Sequence, residues 1–100
     1  MIRHLVMWKY NEELTEAERE ELRKNAAAAA NDMNGKIKGM TYAALQRNVN
    51  ENEPHDLALY CEFEDFASVE GYQSDPAHLA FKSVISGKVH DRVCVDCEKV

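Results

Sequence analysis

Long apolar runs are missing from this chain, and none approaches the ~20 residues that a membrane-spanning helix needs. Proline and glycine are sparse, at two and four residues in 100, so no flexible or proline-rich linker divides it. The opening stretch, MIRHLVMWKY, lacks the long apolar core and small-residue cleavage site of a secretory leader. Cytoplasmic residence is therefore the expectation. Basic residues are outnumbered 12 to 18 by acidic ones, leaving a net charge of −6, and they are dispersed along the chain. Phosphate backbones are held by clustered Lys and Arg, so neither nucleic acid nor an anionic membrane surface is an expected partner. The acidity serves solubility.

Cysteine is scarce and odd in number: Cys61, Cys94 and Cys97. No disulfide framework is expected from such a set. CVDC at 94–97 has the spacing of a metal pair. Its surroundings, VHDRVCVDCEKV, read as a strand, in which side chains alternate faces. Cys94 and Cys97 then face opposite ways and do not share one ion. There is no second CxxC, no glycine-rich phosphate loop and no Ser-His-Asp spacing. An isolated histidine is a poor warrant for haem ligation. Neither a metal nor any other cofactor is expected.

What is present, 45% hydrophobic and 30% charged residues, suits one soluble globular domain over 1–100. IRHLVMWK, 2–9, reads as a strand with apolar residues on both parities: Ile2, Val6 and Trp8 on one side, Leu5 and Met7 on the other. In 14–35, Thr15 and Glu18 form a capping box, and Leu14, Leu22, Ala26, Ala29 and Met33 give an inward stripe. Gly35 can close that helix. The alanine run 26–30 allows either close approach to a sheet or open space beside it. Strands follow at 39–48 and 56–65, around a polar loop at 49–56. A short helix spans 66–73. A further helix, capped by Asp75 with Pro76 at its first position, runs to about Ser86 and stops at Gly87. The last strand covers 89–98.

Strand–helix–strand repeated twice is the ferredoxin-like α+β arrangement, an antiparallel four-stranded sheet with helices on one face. The first strand is apolar on both faces, so the bare side of the sheet needs a cover. Burying even ~400 Å² there is worth on the order of 10 kcal/mol at ~25 cal/mol per Å², comparable with a domain's whole stability. In so short a chain the second layer must come from another copy, which predicts a homodimer joined sheet to sheet.

Several stretches in this order carry a resemblance: His4-Leu5-Val6 on the first strand, then LTEAEREEL, DLALYCEFED, the Y-x-x-x-P-x-H set Tyr72, Pro76 and His78, and DRVCVD at 91–96. Together they resemble the stress-responsive A/B barrel domain, or Dabb, over essentially the whole chain. The resemblance implies a dimeric α+β barrel. Its members include plant stress-induced proteins, which form stable assemblies, and a plant polyketide cyclase that needs no cofactor. In the cyclase the matching histidine is the general base and the matching tyrosine binds a substrate carbonyl, which would give His78 and Tyr72 those roles. The counterpart of His4 lies at the same pocket, and by strand parity His4, Val6 and Trp8 share one wall. Trp8 stands where the cyclase has a smaller aliphatic residue, so the cyclase's long-chain substrate does not carry over.

The chemistry of these residue types is suitable. A neutral imidazole can take an acidic proton flanked by carbonyls, and a phenol can donate to the enolate oxygen that forms. The expectation is a small apolar pocket between helices and sheet, binding a hydrophobic or carbonyl-bearing molecule with Tyr72 and His78 at its polar end. A cyclase, isomerase or lyase based on His78, and a structural assembly with no ligand, are the alternatives. Elsewhere, His55-Asp56 reads as a solvated turn, and Asp91 with Arg92 as an ion pair holding the chain end. Glu62 and Glu64 share a strand face with Tyr60, and two-faced burial would let one of them approach the pocket, with neither placed there by the sequence.

Overall fold

A computed structural model of the chain describes residues 1–100. Strand β1 (Ile2–Tyr10) pairs antiparallel with β3 (Leu57–Phe63) on one side and with β4 (Val89–Cys97) on the other. Strand β2 (Met40–Arg47) adds beyond β3, giving the order β2-β3-β1-β4. Helices α1 (Glu16–Met33), α2 (Phe66–Tyr72) and α3 (Pro76–Ile85) complete the ferredoxin-like α+β fold expected from the element order. No helix is long and apolar enough to cross a membrane.

Local signals set the helix ends. Glu18 N–H donates to the Thr15 hydroxyl at 3.1 Å, and Thr15 N–H donates to the Glu18 carboxylate at 2.8 Å, closing the capping box. Asp65 caps α2 by accepting from Ser68 N–H at 2.9 Å. Asp75 caps α3 by accepting from Ala77 N–H at 2.9 Å, with Pro76 at the start. Beyond α1, the Asn34 amide donates to Ala43 O at 2.8 Å and accepts from Ala43 N–H at 2.9 Å. That clasp ties the helix exit to β2. Gly39, at φ +80°, lies against α2: a Cβ there would sit 1.9 Å from Ser68 Oγ.

Burial alternates along β1 with period two. His4, Val6, Trp8 and Tyr10 are buried under the helices, as are Leu57, Leu59, Cys61 and Phe63 of β3. The inward stripe of α1 is Leu22, Ala26, Ala30 and Met33. Ala29 packs half-buried against this core, as expected, and Ala30, four positions after Ala26 on the same helix face, is buried more deeply. The alanines settle at close approach: Ala26 and Ala30 are wholly buried, and no residue of the run lines the main cleft described below.

The other parity stays bare. Leu5 pairs with Tyr60 and Val95, Met7 with Ala58 and Val93, and Ala44 with Tyr60. Val93, Val95 and Tyr42 on this side are exposed. This apolar sheet face has no cover within the chain.

Three smaller expectations need correction. Asp91 bonds not to Arg92 but to Lys9 Nζ at 3.2 Å and to His90 Nδ1 at 3.3 Å. The backbone bulges there, with Asp91 at φ 55° and the β1–β4 register shifted, and neighbouring strand residues face opposite ways. Asp56 is more than a solvated turn residue: its carboxylate accepts from Tyr10 N–H at 2.9 Å, while His55 Nε2 meets Asp91 O at 3.0 Å. Glu62 lies on the bare face, where it accepts from the Tyr60 hydroxyl at 2.6 Å, and neither it nor Glu64 lines the main cleft.

The tight seating of α1 has a direct consequence. Ala30→Leu should lower unfolding free energy by about 1–3 kcal/mol through overpacking, while Ala28→Leu on the exposed side should stay within about 0.5 kcal/mol of wild type. Urea melts of both variants check this. Gly39→Ala should also destabilise, and Gly39→Ala with Ser68→Gly should recover only the part due to the clash, because the positive φ remains.

Candidate functional site

The turn between α2 and α3 places the two residues that the spacing singled out. Tyr72 ends α2 and His78 sits in the first turn of α3, after the Asp75 cap. Their rings stack with centroids 3.9 Å apart and planes 31° from parallel. His78 Nδ1–H donates weakly to Gln73 O at 3.4 Å, which leaves Nε2 without a partner. Burial holds the His78 imidazole below its ordinary pKa; Gln73 O pulls the other way, and nearby Lys82 and His4 reinforce the drop. The ring is therefore neutral at neutral pH.

Tyr72 is the hub of an aromatic cluster. Besides His78 it meets His4 edge-on at 5.4 Å and Phe63 at 5.1 Å. Its hydroxyl is buried and makes no hydrogen bond of good geometry, the Cys61 thiol being only a weak neighbour. Burial pushes the phenol pKa well up, and the neighbouring Cys61 thiol adds to the rise. Burial likewise pushes the Cys61 thiol up to about 12. Both groups are neutral and inert as acids in this state. An unsatisfied buried hydroxyl costs roughly 1–3 kcal/mol, so this one is a reserve of hydrogen-bonding capacity.

A cleft of about 520 Å³ opens between α3 and the β1–β4 part of the sheet. His4, Val6 and Trp8 form its sheet wall, and Tyr72, His78 and Phe81 its helix wall. Those two groups come from opposite ends of the chain, and the register of β1 under α3 brings them together. Trp8 and Phe81 face each other at 6.2 Å, which narrows one end. Lys82 and Arg92 also line the space, whereas no Asp or Glu does. In a chain of net charge −6, a cleft with only basic charges is set apart from the rest of the surface.

Sequence reading missed the partners of His4. Its Nδ1–H donates to Asp96 Oδ1 at 2.6 Å, and Cys94 Sγ lies 3.8 Å from the same nitrogen. Cys94 and Asp96 are two apart on β4, so they share a face, and the register sets Asp96 opposite His4 and Cys94 opposite Val6. Cys97 falls on the other parity, opposite Arg3 on the bare face. Parity alone could have grouped Cys94 with Asp96. Which strand they face was not legible, because register is a tertiary fact.

The stress responsive A/B barrel domain model matches residues 2–99. Among curated proteins, no sequence matches. A solved structure from Bacteroides fragilis, described as a dimeric protein of unknown function with a ferredoxin-like fold, is 26% identical with a TM-score of 0.89, covering 98% of this chain and 95% of that one. A Dabb family protein from Mesorhizobium loti is 21% identical with a TM-score of 0.76, covering 99% of this chain and 96% of that one. Hydroxynitrile lyase from Passiflora edulis shares the fold at 14% identity and a TM-score of 0.74, covering 96% of this chain and 90% of that one. Sheet order, helix placement and the near-complete match agree: the chain belongs to the stress-responsive A/B barrel (Dabb) family.

Proposed function

We propose that this chain is a cytoplasmic homodimer whose subunits each bind a small, partly apolar, carbonyl-bearing molecule in the cleft between α3 and β1–β4. The observation that carries this reading is a neutral imidazole stacked on a buried phenol with an unused hydroxyl, both lining one cleft. Lys82 and Arg92 favour a ligand with a carboxylate or a developing enolate charge. Val6, Trp8 and Phe81 supply the apolar contact. The free cysteines suit a reducing compartment.

A catalytic form of this reading is favoured by the His78 ring itself. Its Nδ1–H is directed to Gln73 O, so Nε2 offers a lone pair, and burial keeps that lone pair unprotonated. Proton abstraction from a carbon beside a carbonyl needs such a base. The nearby cations would stabilise the enolate that results. No added cofactor enters this step.

The dimer reading rests on the bare sheet face and on the dimeric description of the Bacteroides fragilis relative. Two copies of that face, laid together, would bury Leu5, Met7, Val93 and Val95 in an isologous interface.

Four measurements test these readings. Sedimentation at micromolar concentration should give a dimer, and Val95→Asp should shift it toward monomer or aggregate; a well-folded wild-type monomer would overturn the assembly. Trp8 is the sole tryptophan and lines the cleft, so its fluorescence should change saturably with small β-keto acids and aryl ketones. Affinity should fall about tenfold or more in His78→Ala, roughly one charge-free hydrogen bond and its packing. Exchange of the acidic α-proton into deuterated water, followed by NMR, should be faster with wild type than with His78→Ala. Equal rates would remove the catalytic form and leave binding.

The fourth measurement concerns pH. A histidine whose folded pKa is depressed disfavours protonation in the native state, while the unfolded side chain titrates near ~6.5. Its stabilising share is thus complete above that value and is lost as pH falls below it. Urea midpoints taken at about pH 7.5 and about pH 5.5 should drop further for wild type than for His78→Ala. An identical drop in both would mean that the imidazole is not held neutral.

A further inference from the structure

Cys94, Asp96 and His4 present three different ligand atoms to one point, all within 4.8 Å of one another. We propose that this cluster binds a single borderline-soft divalent cation of the zinc class, and that the ion clamps edge strand β4 to β1. The site shares His4 with the wall of the cleft, but the ion does not need the cleft's proposed ligand.

The donor set is a thiol, an imidazole and a carboxylate, which are the groups that zinc takes in proteins. Hard cations such as Mg²⁺ prefer oxygen alone. With metal–ligand bonds of about 2.0–2.3 Å, a tetrahedral site has ligand–ligand edges of about 3.3–3.8 Å. The Cys94 Sγ to His4 Nδ1 separation, 3.8 Å, already lies at that edge length. The 2.6 Å contact of His4 Nδ1 with Asp96 Oδ1 is a hydrogen bond and must open by roughly 0.7 Å to admit an ion. The Asp96 side chain is 26% exposed on an edge strand, so a rotamer change is available to it. His4 by contrast is fixed: it is 2% exposed and wedged against Phe63 and Tyr72. One rigid buried ligand and two on an accessible strand make a site that a cation can enter from solvent. Water would take the fourth position.

Charge balance is consistent. Binding removes the Cys94 thiol proton, and the His4 proton moves from Nδ1 to Nε2, so a dication meets one thiolate, one carboxylate and one neutral ring. Arg92, on the same face of β4, lowers the cost of forming the thiolate while opposing the incoming cation. Burial and the Asp96 charge raise the Cys94 thiol, an effect that a bound dication reverses. The spacing CVDC suggests a Cys94–Cys97 pair, but Cys97 lies on the opposite face and takes no part.

The test is titration of the chelator-stripped, reduced full chain with Co²⁺, followed by competition with Zn²⁺. One equivalent per chain should produce the thiolate-to-cobalt ultraviolet band and the visible bands of tetrahedral Co²⁺, both abolished by Zn²⁺. Cys94→Ser should remove the thiolate band and weaken binding at least tenfold, and Asp96→Asn should weaken it similarly. Cys97→Ser should match wild type. Zn²⁺ should raise the melting temperature of wild type and of Cys97→Ser but not of Cys94→Ser, since an ion that binds only the folded chain stabilises it. Cys94 and Asp96 are both exposed, so folding of these variants is checked by circular dichroism and does not cloud the result. Binding that survives unchanged in Cys94→Ser, or a spectrum with no thiolate band, would overturn the site and leave Asp96 as a hydrogen-bond partner of His4 only.

Discussion

The structure depends on the pleat of β1. This strand is central to the sheet, bonded to β3 on one side and β4 on the other, and its side chains alternate between two environments. One parity, His4 to Tyr10, forms the floor of the helix layer and the wall of the cleft. The other, with Leu5 and Met7, faces a side that no helix covers. A one-residue slip would exchange these sets and place Arg3 and Lys9 in the core. Register is thereby held firmly, and the site and the bare face are two results of one alternation.

The helices act on this floor through different means. Small side chains let α1 close onto the sheet, so Ala26 and Ala30 leave no space along that helix. The cleft forms instead beneath α3, where Tyr72, His78 and Phe81 stand off from Val6 and Trp8. Ring contacts radiating from Tyr72 join α2, α3, β1 and β3. That packing fixes the His78 ring and keeps it neutral, at the cost of one unbonded hydroxyl. Natural cores tolerate few such groups, which is why this one is informative.

Much of this was legible in particular residues. Thr15 with Glu18, and Asp75 with Pro76, announce helix starts because caps act within four residues of the chain. Alternation in DLALYCEF assigns each side chain of β3 to its face, as found. The misreadings have a shared cause. Adjacency in sequence pairs Asp91 with Arg92, but a bulge turns it toward Lys9. Asp56 looked like a solvated turn residue, yet Tyr10 of another strand supplies its hydrogen bond. In α1 the deepest burial falls on Ala30 beside the expected Ala29, since a run of five identical residues gives no phase of its own.

The sequence by itself determined the element order, the helix caps and the two-faced first strand, because all of these rest on local geometry and periodicity. Only the tertiary structure decided that His4 meets Asp96 and Cys94, that Tyr72 holds its hydroxyl in the core, and that basic side chains alone charge the cleft. The His4 contacts span some 90 residues of chain. Strand register and helix docking create them, and both follow from minimising exposed apolar surface over the whole chain at once, which no local stretch of sequence encodes.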